Sequence, residues 1–170
     1  KLTGREFLQF MADLYKVKPK AAQQRMEELL VLYGMAEWQD DLIDSYSHGM
    51  KQRLLMCAAQ VHSPKVLVID EPMVGLDPPG AKLLKDTLRK SVAEGMTIFM
   101  STHSLSVAEE IADRLAIIER GRIIAMGTLD ELYARARSDA SDLEKVFLQI
   151  IEEAEPNGSG FSKISRAPIR

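Results

Sequence analysis

The spacing of apolar residues divides the chain into a helical first part and a second part in which strands and helices alternate. Up to residue 62 the apolar positions recur every three or four residues, which predicts helices, the first over residues 5–16 with Thr3 as its cap. Between residues 64 and 118, short aliphatic runs alternate with helical patterns. This alternation predicts a parallel sheet with right-handed crossovers, so the fold class is α/β with a helical subdomain at residues 1–62.

Three short apolar runs predict the strands of this sheet. The runs at 66–69 and 97–100 are expected to be strands buried on both faces. The third run, 115–118, precedes a tight-turn signal, and residues 122–127 are expected to pair back as a β-hairpin that adds a strand to one side of the same sheet. The catalytic α/β part is therefore predicted at residues 63–127.

After this part the helical pattern continues and is then lost. Thr128 begins one predicted helix, and an apolar stripe from Leu143 to Ile151 predicts another, so residues 128–153 are expected to hold C-terminal helices. Residues 154–170 are polar and rich in glycine, with basic residues at the end. We expect a flexible tail there.

Composition excludes several classes of function. A chain of 170 residues with 46% apolar and 28% charged residues fits one folded domain. The net charge of −3 and the scattered basic residues argue against a nucleic-acid partner. Cys57 is the single cysteine, so an internal disulfide and a multi-cysteine zinc site are excluded, and we place it in the core. No apolar run approaches the roughly 20 residues that span a bilayer, so work at a membrane would require another chain as the anchor.

Two adjacent acids, Asp70 and Glu71, directly follow the first predicted strand, and Pro72 ends it. Ligands of open parallel sheets collect at the carboxyl ends of strands. One carboxylate there can hold a hard divalent cation while the other polarises an attacking water, a division that suits phosphoryl transfer. The alternative is a pair of solvated acids at a strand end.

Two further motifs lie where chemistry is expected. His103 ends the second predicted strand after two hydroxyl residues, and it is either a catalytic residue or a hydrogen-bonded structural one. Ser47-His48-Gly49 begins a helix, so its amides and hydroxyl can face an anion, or Ser47 simply caps the helix. Residues 75–82 are the nearest match to a glycine-rich phosphate loop, but an acid and two prolines remove the amide donors that phosphate needs.

In this order and spacing, the motifs resemble the ATP-binding domain of ABC transporters, and most of all those of bacterial export and drug-resistance systems. The resemblance runs from Leu2 to about Ile150. Residues 46–53 stand where the family has its signature motif, 66–71 where it has the Walker B strand, and 75–77 where it has the D-loop. His103 stands in the place of the switch histidine.

The resemblance implies a role for each of these residues at a site for ATP and Mg²⁺. Asp70 would hold magnesium through water, Glu71 would polarise the attacking water, and His103 would contact the γ-phosphate. The signature residues Ser47, His48 and Gly49 would bind the nucleotide of a second ATP-binding domain across a dimer. Asp77 would lie at the dimer seam and couple the two sites.

The resemblance also implies partners and a location. The protein would be an ATPase at the cytoplasmic face of the membrane, peripheral to it, that couples ATP hydrolysis to transport through a transmembrane permease subunit or domain. Two readings from other classes remain open. One is a soluble ABC-type ATPase of translation or repair, and the other is a non-catalytic interaction module.

This sequence departs from the family pattern in two places. His48 replaces a glycine and Met50 replaces the glutamine of the usual signature. The family's Walker A and Q-loop region precedes the helical subdomain, so the chain resembles the C-terminal part of a P-loop NTPase-like domain whose parallel sheet is incomplete. We therefore expect the chain alone to bind ATP weakly and to hydrolyse it negligibly. The missing Walker A strand would leave two unpaired strand edges, and our hypothesis is that rearrangement or dimerisation closes the gap.

Overall fold

The structure, a computed structural model, describes residues 1–135 and 142–154. The expected tail at 154–170 lies outside these residues, apart from Ala154 at the end of the last helix. The chain divides into two compact units, Lys1–His103 and Ser104–Arg170. From its motifs, the chain is predicted to divide after residues 62 and 127. This division is based on the expected role of each part, not on the contacts that define the two compact units, and it stays a prediction.

The first unit begins with the helices that the apolar spacing predicts. They are α1 (Gly4–Leu14), α2 (Pro19–Leu32) and α3 (His48–Gln60), and short 3-10 turns at Ala36–Trp38 and Ile43–Ser45 lie between α2 and α3. Thr3 caps α1 in a reciprocal capping box: its hydroxyl accepts from the amide of Glu6 at 3.2 Å, and the Glu6 carboxylate accepts from the amide of Thr3 at 2.8 Å. The predicted cap is confirmed.

A buried polar network crosses the apolar core of this unit. Gln60 is fully buried, and its amide donates to the hydroxyl of Tyr33 and to the carbonyl of Met56 at 3.3 Å. The Ser91 hydroxyl donates to the Gln60 carbonyl oxygen at 3.4 Å. The network therefore ties α2, α3 and the helix that carries Ser91 to one another. Cys57 is buried beside it, as expected, and burial raises the pKa of its thiol to about 12.

The parallel crossover is also present. Strands β1 (Val66–Asp70) and β2 (Thr97–Ser101) pair in parallel, with Asp70 opposite Ser101, and helix α4 (Pro78–Ala93) connects them. Leu67 of β1 and Leu84 and Leu88 of α4 are buried. This arrangement confirms the α/β class and brings the carboxyl ends of the two strands together.

The prediction that both strands are buried on both faces is wrong. Val66, Val68 and Phe99 are 57%, 72% and 66% exposed, and they lie on one face of the two-stranded sheet. Alternate residues of a strand point to opposite faces, so a layer on one face buries only every second residue. An apolar run predicts that both faces of a strand tend to be buried. Burial also requires other residues to pack on each face, and the run itself does not predict those residues.

The second unit contains a hairpin covered by helices. Its elements are α5 (Leu105–Ile111), β3 (Leu115–Glu119), β4 (Arg122–Gly127), α6 (Leu129–Arg135) and α7 (Leu143–Ala154). Arg120 and Gly121 both have positive φ, 48° and 76°, as a two-residue type I′ hairpin turn requires. The buried core of this unit comprises Ala108, Ile117, Ala125, Leu132, Leu143, Val146 and Ile150.

The prediction that the hairpin joins the parallel sheet is wrong. Within the described residues, β3 and β4 form a two-stranded antiparallel sheet, separate from the sheet of β1 and β2. A hairpin forms through local pairing, whereas a place in a parallel sheet requires a neighbouring strand at the right edge. The rearrangement that was hypothesised to close the gap is absent from these residues, and dimerisation stays a hypothesis.

Across residues 1–135 and 142–154, the structure contains no helix with the length and apolar character that crossing a membrane would require.

Candidate functional site

The carboxyl ends of β1 and β2 bring together the two acids and the histidine that the sequence singles out. Asp70 is the last residue of β1 and pairs with Ser101, the last residue of β2. The Ser101 hydroxyl donates to a carboxylate oxygen of Asp70. Glu71 follows Asp70, and His103 follows Ser101 by two residues. The parallel register is the reason why these side chains are neighbours.

Glu71 has an unusual backbone conformation for a glutamate. Its φ is +45°, in the left-handed region that costs a side-chain-bearing residue on the order of 1 kcal/mol. Its amide still extends the ladder by donating to the carbonyl of Ser101 at 3.0 Å. The chain therefore turns sharply at Glu71 while the residue stays attached to the end of β2.

Three donors hold the Glu71 carboxylate. Its Oε1 accepts from the backbone amide of His103 at 2.7 Å and lies 2.8 Å from Nδ1 of the same residue. Its Oε2 accepts from the hydroxyl of Thr102 at 3.3 Å. An ionised carboxylate has about four acceptor directions, so these bonds leave Oε2 with one direction for a further donor.

The same bonds set the charge of the pair. The hydrogen bond from the His103 side chain is the main cause that lowers the pKa of Glu71, against a smaller opposing effect of desolvation. Glu71 is therefore ionised at neutral pH. With Nδ1 donating to Glu71, the Nε2 atom of His103 points away from this bond, on a side chain that is 80% exposed.

The turn formed by Ser47, His48 and Gly49 packs on the loop that follows Glu71. Ser47 caps α3, because its hydroxyl accepts from the amide of Met50 at 3.2 Å. A helix cap is one of the two roles that the sequence predicts for this residue. A Cβ atom added to Gly75 would lie 2.1 Å from Cδ2 of His48, so the imidazole lies directly against the Gly75 backbone. A Cβ added to Gly49 would lie 3.7 Å from the carbonyl of Gly75. The predicted signature residues therefore contact the predicted D-loop within this chain.

Asp77 has a structural role in this structure. It caps α4, and its Oδ1 accepts from the amide of Gly80 at 3.1 Å. Pro78 and Pro79 follow in the first turn of the helix, where a missing amide costs nothing. The coupling of two sites across a dimer, which the resemblance implies for Asp77, stays a proposal.

Three residues that contact the site were not among the predicted site residues. Ser101 and Thr102 bind Asp70 and Glu71, and their signal is a pair of hydroxyls just before the histidine at a strand end. Gln52 donates from Nε2 to the carbonyl of Pro72 at 3.2 Å. A glutamine in an amphipathic helix carries no local signal for such a contact.

Comparison with known proteins shows which proteins this chain resembles. The family model described as ABC transporter matches residues 2–74. The daunorubicin resistance ATP-binding protein DrrA3 of Streptomyces coeruleorubidus is 37% identical over 142 residues, which cover 84% of this chain and 45% of that protein. The bacitracin transport ATP-binding protein BcrA of Enterococcus faecalis is 37% identical over 158 residues, which cover 90% of this chain and 50% of that protein. Over most of its length, the chain is thus similar to ATP-binding proteins of ABC transporters.

A solved structure of an ABC transporter's ATP-binding subunit has the same fold. It superposes with a TM-score of 0.81 at 29% identity, over 89% of this chain and 63% of that one. The resemblance and the P-loop NTPase-like fold class inferred from the sequence are thus confirmed. The chain spans about half the length of the curated relatives named above, 45% and 50%.

The carboxylates at the end of β1 fit the way in which proteins bind magnesium together with a nucleotide. Within the described ranges, no group of three or more His, Cys, Asp or Glu side chains forms a metal cage. Magnesium bound with nucleotide takes one or two carboxylates, waters and phosphate oxygens rather than such a cage. Asp70, a carboxylate fixed by Ser101 at an exposed strand end, is a donor of this kind.

Proposed function

We propose that this chain carries the Walker B, D-loop and switch-histidine half of an ATP-hydrolysing subunit of an ABC exporter. In the whole protein, ATP with Mg²⁺ would bind at a dimer interface, and hydrolysis would drive the movement of a substrate through a transmembrane permease. The names of the relatives, which are ATP-binding proteins of drug resistance and bacitracin transport, support this class. A peripheral position at the cytoplasmic face of the membrane follows from the same proposal.

One observation supports the proposal most. Three donors of Thr102 and His103, just after β2, hold the carboxylate of Glu71. These bonds fix the carboxylate at the strand end and keep it ionised, with one acceptor direction of Oε2 for a water hydrogen. A fixed anionic acceptor of this kind orients an attacking water for phosphoryl transfer. The lowered pKa suits a group that orients and polarises water more than one that holds a proton.

The other predicted residues have separate tasks in this proposal. Asp70 would hold Mg²⁺, which when bound neutralises the charge on phosphate oxygens. His103 donates to Glu71 through Nδ1, so its Nε2 would face the γ-phosphate as an acceptor or, when protonated, as a donor. Ser47, His48 and Gly49, at the positive end of α3, would contact the nucleotide bound to a second ATP-binding domain.

The decisive test is Glu71→Gln in the intact protein. The amide keeps the size of the side chain but removes the charge that polarises water, so we expect ATP turnover to fall by about a hundred-fold or more. ATP-dependent dimerisation should remain, because the substitution leaves the binding surfaces in place. Steady-state hydrolysis and size-exclusion chromatography with ATP measure the two effects.

A matched substitution separates loss of chemistry from loss of structure. Glu152→Gln changes an exposed acid of α7 in the second unit, and we expect turnover to stay within two-fold of the wild type, as is usual for changes at exposed sites. Wild-type hydrolysis by Glu71→Gln would refute the role assigned to Glu71.

The 170-residue chain itself is predicted to be nearly inactive. Its own phosphate contacts would come from His103 and from Mg²⁺ held by Asp70, without a glycine-rich amide nest, the feature that supplies much of the phosphate-binding energy in P-loop proteins. Nucleotide binding by titration calorimetry and hydrolysis should both be much weaker than in the intact protein. Equal hydrolysis by the two would contradict this prediction.

A further inference from the structure

The loop between Glu71 and α4 is attached to the first two turns of α3 at two points. Gln52 donates from Nε2 to the carbonyl of Pro72, the residue directly after Glu71. Four residues earlier on the helix, the ring of His48 lies against Gly75, close enough that a Cβ there would come within 2.6 Å of its Nε2. Positions four apart lie on one face of a helix, so the same face makes both contacts.

Backbone hydrogen bonds close two turns within this loop. It contains two turns, in which the amide of Val74 donates to the carbonyl of Glu71 at 3.2 Å and the amide of Leu76 donates to the carbonyl of Met73 at 3.3 Å. These bonds are at the long end of the normal range. Positive φ at Glu71 (45°) and at Gly75 (78°) also makes the conformation one that neighbouring groups must enforce.

His48 is suited to this task because of the residue that it replaces. A glycine at position 48 would leave the space against Gly75 empty. The imidazole instead fills it, and Gly75 is the residue type that both the ring and the positive φ require. The departure from the usual family signature is thus matched by a contact inside the same chain.

We propose that His48 and Gln52 are positioning residues for Glu71. They hold loop 72–76 on α3, and through Pro72 and the turn from Glu71 to Val74 they keep Glu71 in the left-handed conformation that directs its carboxylate to Thr102 and His103. The inference rests on the proposed function in so far as it concerns catalysis, whereas the attachment of the loop is a property of this chain alone.

The attachment is tested on the 170-residue chain by amide hydrogen exchange. Gln52→Met keeps the length of the side chain and removes the donor. Loss of one hydrogen bond should speed exchange at Val74 and Leu76 by about five-fold, with amides of α1 unchanged. Lys20→Ala, at an exposed position of α2, should leave the loop amides unchanged. Unchanged exchange at Val74 and Leu76 in Gln52→Met would overturn the attachment.

The contact of His48 is tested by a double-mutant cycle with Gly75. Gly75→Ala should lower the melting temperature strongly in the presence of His48, because the new methyl group collides with the ring. In the His48→Gly background the same change should cost clearly less, since only the positive φ remains unfavourable. Additive effects of the two substitutions would show that the ring does not lie on Gly75 and would overturn this point of attachment.

The catalytic part is tested in the intact protein. Gln52→Met should lower kcat by about ten-fold while KM for ATP stays within two-fold, because a misplaced catalytic group affects the reaction more than binding. An unchanged kcat, or an equal loss in the exposed α2 variant Lys20→Ala, would overturn the positioning role. Glu71→Gln is measured alongside: its full activity would refute the proposed function and leave the exchange result on the loop intact.

Discussion

Hydrogen bonds at single residues decide what the two adjacent acids do. Asp70 and Glu71 are neighbours in sequence, yet Asp70 accepts from Ser101 and Glu71 from Thr102 and His103. The positive φ of Glu71 separates their directions and gives each carboxylate its own donors. The proposed roles of the two carboxylates therefore differ because their surroundings differ, as is general for paired carboxylates.

Gln60 is a fully buried polar residue in the core of the first unit. We expect Gln60→Leu to lower the free energy of unfolding by about 1–3 kcal/mol, because the buried hydroxyl of Tyr33 would lose its hydrogen-bond donor. Urea denaturation measures the change. Gln24→Leu, at an exposed position of α2, should stay within about 0.5 kcal/mol of the wild type. An equal cost at both positions would contradict the importance of burial.

At the scale of elements, the helices begin where side chains satisfy their first amides. Thr3, Ser47 and Asp77 each accept from the amide three residues later, in front of α1, α3 and α4. These caps are local and follow from the sequence. The caps of α3 and α4, Ser47 and Asp77, are also predicted site residues. Each of these side chains therefore caps a helix and has, in addition, a proposed role at the site.

The capping box of α1 provides a test at this scale. Thr3→Ala removes the acceptor for the amide of Glu6, and we expect the free energy of unfolding to fall by about 1 kcal/mol. Thr3→Ser keeps the hydroxyl and should restore most of this loss. Thermal unfolding followed by circular dichroism gives both values. A loss of the same size in Thr3→Ser would show that the methyl group, and not the cap, is responsible.

At the scale of the whole molecule, the sheet of the first unit presents an apolar face to solvent. Val68 and Phe99 are opposite each other on β1 and β2 and are 72% and 66% exposed. Neighbouring exposed apolar side chains on a sheet favour association with another surface. This exposed face is a second physical reason, beside the unpaired strand edges, for the hypothesis that the isolated chain dimerises.

We therefore predict that the isolated chain associates in solution and that Val68→Lys reduces this association. The lysine places a charge in the middle of the exposed face, where burial in an interface would be costly. Light scattering across a concentration series measures the effect. Val31→Lys is the matched control, since Val31 is 70% exposed on α2. A monomer at all concentrations would refute the dimerisation hypothesis.

The sequence by itself determined the local features of this protein. The helices, the strands, the cap at Thr3 and the tight turn between β3 and β4 depend on neighbouring residues, and the structure has them near the predicted positions. The order of the motifs also predicted the resemblance to ABC transporter ATP-binding domains, which the relatives confirm.

Tertiary structure alone decided which elements meet and which faces are covered. The hairpin forms its own sheet, and β1 and β2 are open on one face, because pairing and burial depend on residues far away in the chain. The same holds for the site: the register that places Asp70 beside Ser101 brings Glu71 to Thr102 and His103, about thirty residues away in sequence. Contacts of Gln52 with Pro72 and of His48 with Gly75 have no local signal, since each requires a helix and a loop to be packed together.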